Sequence, residues 1–143
     1  MNSTSEFSFQ YCATGLGLSI SVLFDGKEIY HQTAHTEFQT FSHNFDDDGL
    51  EHVLEIKMSG KTPEHTVIND YGDIVGDVLL KITNIQFDGV ELGTVFTEKS
   101  TYTHDFNGTG ATTVETFYGT MGCNGVLALR FSTPIYLWLL ENM

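Results

Sequence analysis

Cysteine, proline and basic residues are all scarce in this chain of 143 residues, and each scarcity excludes something. The two cysteines, Cys12 and Cys123, stand far apart with no Cys-x-x-Cys spacing and no second soft ligand nearby. That pattern speaks against a disulfide framework and predicts two buried free thiols. The two prolines, Pro63 and Pro134, are isolated, no Pro-rich or Ser-rich linker interrupts the chain, and no repeat of solenoid or propeller period is visible. A single domain over 1–143 is therefore expected. Six Lys and Arg against 19 Asp and Glu give a formal net charge of −13. No face is expected to carry the basic patch that phosphate backbones require, so nucleic acid is excluded as an expected partner. The same field repels anionic lipid and attracts cations. The longest apolar run, Ile135 to Leu140, is far too short to cross a bilayer, so no membrane insertion is expected. Met1 to Glu6 carries no positive cluster with an apolar run behind it, and no secretory signal is expected there.

What is present is the material of a packed core, 41% hydrophobic and 13% aromatic, arranged mostly with the period of two that strands require. Leu18 to Phe24 alternates, meets the turn Asp25-Gly26-Lys27, and resumes at Glu28 to His31, which reads as a hairpin. Phe38 to Phe45 and His52 to Met58 read as strands on either side of the turn Asp46-Asp47-Asp48-Gly49. Thr62 to Gly76 reads as a polar connector. Asp77 to Phe87 is a further strand with a bulge near Asn84, and Asp88-Gly89 turns the chain into Val90-Glu91-Leu92. Thr94 to Tyr102 and Thr112 to Tyr118 have the composition of exposed or edge strands, and Val126 to Phe131 of another strand. Ile135 to Leu140 is too apolar to be left in solvent and fits either a terminal strand or a short docking helix. About eight or nine short strands with Gly and Asp turns imply an all-β fold, an antiparallel β-sandwich of jelly-roll type.

Four groups of residues carry candidate chemistry. The six histidines, His31, His35, His43, His52, His65 and His104, lack metal-ligand spacing and read as isolated structural side chains, with His52 and His65 bonded to backbone. The acidic turns, Asp46 to Asp48 and Asp70, Asp73 and Asp77, supply the hard oxygen ligands that calcium takes, although the complete EF-hand spacing is absent. Both a solvated acidic turn and a bound calcium at Asp70, Asp73 or Asp77 fit the residues. No Gly-x-Ser-x-Gly elbow is present, Cys123 has no identifiable basic partner, and Asn107-Gly108-Thr109-Gly110 lacks the Lys and helix of a phosphate cradle. The protein is expected not to be an enzyme. Among the aromatics, Phe24, Phe41, Phe45 and Phe87 are spaced as core and Trp138 reads as packed. Tyr71, set between polar loop residues, is the best exposed ring for stacking on a sugar.

Two resemblances bear on function. The turn Asp25-Gly26-Lys27, the run Gly49 to Ile56 with its Glu51-His52-Val53-Leu54 opening, and Ile82 to Phe87 running into Asp88-Gly89 resemble jelly-roll carbohydrate-binding modules, especially the calcium-dependent xylan-binding kind. Such a module would recognise a host surface glycan through Tyr71, with calcium at the Asp70 loop. In contrast to those modules, no secretion signal, linker or attached catalytic domain is expected from these residues. The runs Met58 to Thr66, Asp70 to Asp77 and Ile85 to Leu92 are similar to small virion structural proteins of tailed bacteriophages. This second resemblance implies a non-enzymatic tail, fibre, baseplate or capsid-associated subunit, made in the host cytoplasm and located in the virion. It would dock on other virion proteins and on copies of itself through strand edges and the segment carrying Ile135, Tyr136, Trp138 and Leu139. The virion subunit is the first expectation and the glycan-binding module the alternative.

Overall fold

The computed structural model describes residues 4–142; Met1 to Ser3, which open the amino-terminal stretch read above, and Met143 lie outside the described residues. The first half of the chain forms β1 (Thr4–Ala13), β2 (Ser19–Phe24), β3 (Lys27–Thr33), β4 (Gln39–Asp46), β5 (Glu51–Ser59), a 3-10 turn (Pro63–His65), β6 (Val67–Ile68) and β7 (Ile74–Gly76). The second half forms β8 (Leu80–Phe87), β9 (Val90–Glu91), α1 (Thr94–Lys99), β10 (Thr101–His104), β11 (Thr113–Thr116), β12 (Thr120–Met121), β13 (Gly125–Ser132) and α2 (Ile135–Asn142). One sheet runs in the order β12-β8-β1-β4, with β9 also on β8; the other runs β11-β10-β13-β5-β2-β3; β6 and β7 pair as a separate hairpin. The pairings are antiparallel. The β-sandwich expected from the turn spacing is the fold.

Side-chain alternation explains how the two sheets meet. β1 buries Phe7, Phe9 and Tyr11 while Glu6, Ser8 and Gln10 face outward, β5 buries His52, Leu54, Ile56 and Met58, and β13 buries Leu127, Leu129 and Phe131. These inward faces join into one hydrophobic cluster. Rings from opposite sheets interlock there, with Phe87 and Phe131 centroids 4.8 Å apart and Phe45 and Phe131 5.5 Å apart. Burying each such ring contributes about 2 kcal/mol, so this aromatic layer supplies much of the drive for closing the sandwich. Phe41, Phe45 and Phe87 are buried and Phe24 packs against them, as their spacing predicts.

Several elements differ from expectation for local reasons. β1 is central to its sheet, yet no strand is assigned to it from sequence, although Phe7, Phe9 and Tyr11 alternate plainly. Thr94 to Tyr102 is not one strand: Thr94–Lys99 is α1, and only Thr101 and Tyr102 enter β10. Leu92, Val95 and Phe96 fall three and four apart, a helical stripe, and all three are buried. The polar connector contains the 3-10 turn and the β6–β7 hairpin. The bulge near Asn84 is present: Ser8 pairs with Gln86 but Gln10 with Thr83, and Asn84 sits at a φ of +54°.

Of the two alternatives for the carboxy-terminal run, the helix is the one that forms. Ile135, Trp138 and Leu139 lie on one stripe and are buried, Trp138 meeting Phe131 edge-on at 6.4 Å. Three of the four residues expected to dock on other subunits are thus spent inside their own chain; only Tyr136 is exposed, beside Leu137 and Leu140. The helix follows Pro134, which tolerates a first turn because its missing N–H is needed by no acceptor there. Among the described residues no helix is long and apolar enough to cross a membrane.

Candidate functional site

The strands carry their loops to two opposite ends. At the first end the β2–β3 turn, the β4–β5 loop and the β13–α2 junction meet at His52. Its Nδ1 donates to Asp25 Oδ2 at 2.6 Å and its Nε2 to Asp48 Oδ1 at 2.9 Å, so both ring nitrogens carry protons. Asp25 Oδ1 accepts the Val53 N–H, and Asp48 Oδ1 accepts the Leu50 N–H and the Thr133 hydroxyl. Burial pushes the His52 pKa down, but its bonds to the two carboxylates and their charges outweigh this and hold it above the usual histidine value. His52 is structural, as expected, yet its partners are carboxylates and not backbone.

The second end gathers the β1–β2 loop, the segment from Gly60 to Leu79, the β10–β11 loop and the β12–β13 turn. Gly60, at a φ of +90°, packs so closely on the Gly17 carbonyl that no Cβ could fit, which locks the end of β5 to the β1–β2 loop. Lys61 N–H donates to Asn124 Oδ1 at 2.8 Å, Asn124 Nδ2 donates to the Lys61 carbonyl at 3.1 Å, and Asn124 N–H donates to Asn107 Oδ1 at 2.8 Å. Three loops are tied together by these amides. The Tyr102 hydroxyl adds a clamp on the β12–β13 turn, donating to the Cys123 carbonyl and accepting the Cys123 N–H. Burial pushes this phenol up to about 12, so it stays a donor at any ordinary pH.

Between the tied loops lies a groove of about 420 Å³, lined by Lys61, Thr62, Pro63, Thr66, Ile68, Phe106, Asn107 and Thr109. A second hollow of about 340 Å³ continues past Phe106 and is lined by Tyr102, His104, Glu115, Thr116, Tyr118, Thr120, Gly122 and Cys123 as well as Phe106 itself. The Phe106 ring is the wall they share. It is 45% exposed and its backbone sits at a φ of +57°, followed by Asn107 at +60°. A bulky residue in the left-handed region is costly, of order 1–3 kcal/mol, and such strain concentrates at working sites. The ring stands edge-on to His104 with centroids 4.7 Å apart. His104 Nδ1 accepts the Phe106 N–H at 3.3 Å, which leaves the Nε2 proton for Glu115 Oε2 at 2.8 Å. The result is an apolar ring face beside a carboxylate with an oxygen to spare, and Tyr118 is 83% exposed on the same hollow. Burial raises the Cys123 thiol, so it remains protonated and a poor nucleophile.

The residues singled out from sequence are distributed differently. Tyr71 is 90% exposed, at the tip of the β6–β7 hairpin, and does not line the groove. Asp70 and Asp73 share its turn, where Asn69 Oδ1 accepts the Tyr71 and Asp73 N–H groups, while Asp77 lies beyond β7 and bonds Lys61 and Thr66. The structure does not bring these three carboxylates together. Cys12 is buried, Cys123 is half-buried, and both are free. Phe106 is the site residue that sequence reasoning missed. Its signal is its setting: a phenylalanine among the turn residues Asp105, Asn107 and Gly108 answers to no strand period.

Two antiparallel sheets closed over an aromatic core, with grooves in the loops at one end, define a jelly-roll β-sandwich. No family model and no curated relative matches the chain. Solved structures do: the selenomethionine form of vCBM60, described in terms of a circular permutation linking two families of calcium-dependent carbohydrate-binding modules, superposes with a TM-score of 0.58 over 87% of this chain and 89% of its own at 11% identity. vCBM60 in complex with galactobiose gives 0.51 over 87% and 96% at 13% identity. This likeness is one of fold. It accords with the first of the two resemblances seen in the sequence and gives the virion resemblance no structural counterpart.

Calcium, which the fold neighbours bring into question, needs six to eight oxygen ligands with several carboxylates among them. Among the described residues no three His, Cys, Asp or Glu side chains are grouped to hold an ion. Asp105 Oδ1 accepts the Gly108 N–H, Asn107 Oδ1 accepts the Asn124 N–H, and the Thr109 hydroxyl donates to the Phe106 carbonyl. These side-chain oxygens are engaged within the groove loop or across to the β12–β13 turn, and no set of carboxylates is gathered beside them for calcium.

Proposed function

We propose that the chain is a non-catalytic carbohydrate-binding domain that holds a glycan in the groove at Phe106. The observation that carries this reading is the Phe106 ring, kept half-exposed at a strained backbone position beside the His104-oriented carboxylate of Glu115. A pyranose presents one apolar C–H face and a rim of hydroxyls; the first stacks on an aromatic ring and the second bonds a carboxylate or amide. The fold neighbours, carbohydrate-binding modules, support the same class. The docking role in a virion depended on a carboxy-terminal segment free to be covered by a partner, and that support is gone now that the segment closes its own core.

The test is retention on a panel of soluble plant, algal and bacterial polysaccharides in affinity electrophoresis, for the natural chain and for Phe106→Ala. At least one polysaccharide should retard the natural chain, and the substitution should weaken that binding about tenfold, the equivalent of one stacked ring. Equal retardation of both proteins, or none of either, would overturn the reading.

A further inference from the structure

The end of the sandwich that carries the groove is held by a cation that the chain supplies itself. The Lys61 side chain is 1% exposed, and Nζ donates to Asp77 Oδ1 at 2.5 Å, to the Val78 carbonyl at 2.6 Å and to the Gly122 carbonyl at 3.0 Å. An ammonium has three protons and all three are used. The acceptors come from the segment between β7 and β8 and from the β12–β13 turn, 16, 17 and 61 residues away in sequence. Asp77 Oδ1 also accepts the Thr66 hydroxyl and the Val78 N–H, both at 2.9 Å.

One carboxylate and two backbone carbonyls converging from separate loops are the donor set that a hard, loop-bridging metal ion gathers. Here their centre is filled by a tethered ammonium. A divalent ion placed among the same oxygens would stand against that positive charge in a site screened from water. Burying an ammonium is costly unless it is paired and fully bonded, and here the pairing and bonding are complete, which ties the three loops to one point.

We infer that the Lys61 ammonium does the cross-linking of a loop-bridging metal ion, so that the groove end is assembled without calcium and binds its ligand without calcium. The binding half of this inference rests on the carbohydrate reading above; the assembly half does not.

The experiment separates the two. Thermal unfolding of the natural chain in 5 mM EDTA and in 5 mM calcium chloride, concentrations on the order of those that saturate extracellular calcium modules, should give the same Tm within about 1 °C. A calcium-dependent rise of about 3 °C or more would overturn the inference. Lys61→Gly should lower Tm by about 10 °C, and n-butylammonium at tens of millimolar, on the order needed for a weak small-molecule ligand, should recover part of the loss where tetramethylammonium does not. An unchanged Tm, or equal recovery by both ions, would overturn it. Should Lys61→Gly fail to fold, the arms on the natural chain still decide. Polysaccharide retention measured in the same two buffers should be equal; retention lost in EDTA at constant Tm would overturn the binding half. Absence of retention in both buffers would overturn the carbohydrate reading and leave the thermal arms to judge the cation.

Discussion

Each end of the sandwich has a basic side chain clasped by oxygens from neighbouring loops, but the two clasps sit in different surroundings. His52, bridging Asp25 and Asp48, stacks on Phe24 with centroids 5.2 Å apart and backs onto Phe131, and α2 closes over Phe131 from outside. Lys61, bridging Asp77 and two carbonyls, sits under loops that carry the exposed Phe106 ring at a left-handed position, whereas the left-handed residues of the His52 end, Asp25 and Asp88, are ordinary turn residues. The first clasp continues the core; the second is a rigid platform for something that is not core. That difference supports placing the proposed binding groove at the Lys61 end, where a bulky ring is held exposed at a strained position over loops tied together beneath it.

The largest expected contrast comes from removing one aromatic side chain at each end. Trp138→Ala takes a buried ring from against Phe131 and should cost about 3–5 kcal/mol, read as a fall in the urea midpoint. Tyr118→Ala removes a ring that is 83% exposed and should change stability by no more than about 0.5 kcal/mol. Comparable losses would mean that the groove end is as much a part of the core as the helix end. A mild effect at Trp138 would reopen the reading of α2 as a segment kept for a partner.

The two clasps should also differ in how they respond to pH. His52 is held above its ordinary value, so its contribution is complete below about pH 6.5 and is lost as pH rises through the higher folded value. Burial pushes Asp77 up, but the bonds from Lys61, Thr66 and the Val78 N–H prevail and hold its carboxyl below the usual aspartate value. Its contribution is therefore complete above about pH 4 and is lost as pH falls through the lower folded value. Urea midpoints taken from pH 3 to pH 9, roughly the span of these titrations, should decline at both extremes. His52→Gln should flatten the alkaline limb and, because the bond from His52 also holds the Asp48 carboxyl below the usual aspartate value, part of the acid limb; Asp77→Asn should flatten the acid limb alone. Loss of the alkaline limb in Asp77→Asn would deny that the ends are independent.

Much of this arrangement was legible in the sequence because the sheet period is a strong signal where one face is buried. The β2–β3 hairpin, β5 and β8 with its bulge follow from alternation bounded by Asp-Gly or Ser-Gly turns, and β13 from alternation between Asn124-Gly125 and Pro134. α1 was hidden because Thr-rich composition favours a strand, while the stripe of Leu92, Val95 and Phe96 is too short to announce a helix. The clasps were hidden for another reason. His52 and Asp25 are 27 residues apart and Lys61 and Gly122 are 61 apart, and only the folded sheets make them neighbours. Asp77 reads as a metal ligand from its charge alone, and in the fold that charge meets the Lys61 ammonium. The exposure of Tyr71 was readable from its polar neighbours, but the groove lies beside Phe106, whose position depends on two loops meeting.

The smallest stability effect belongs to the residue with the largest expected effect on binding. Phe106 lies over Gly110, which has no side chain to obstruct the ring, and holds a backbone conformation that asparagine adopts far more readily. Phe106→Asn therefore gives up part of a half-exposed ring, about 1 kcal/mol of burial, and relieves about the same amount of backbone strain. The urea midpoint should stay nearly where it was while polysaccharide retention falls about tenfold, one stacking contact. Retained binding with unchanged stability would remove the sugar platform from Phe106. A loss of several kcal/mol would show the ring to be core, and the contrast between the two ends would go with it.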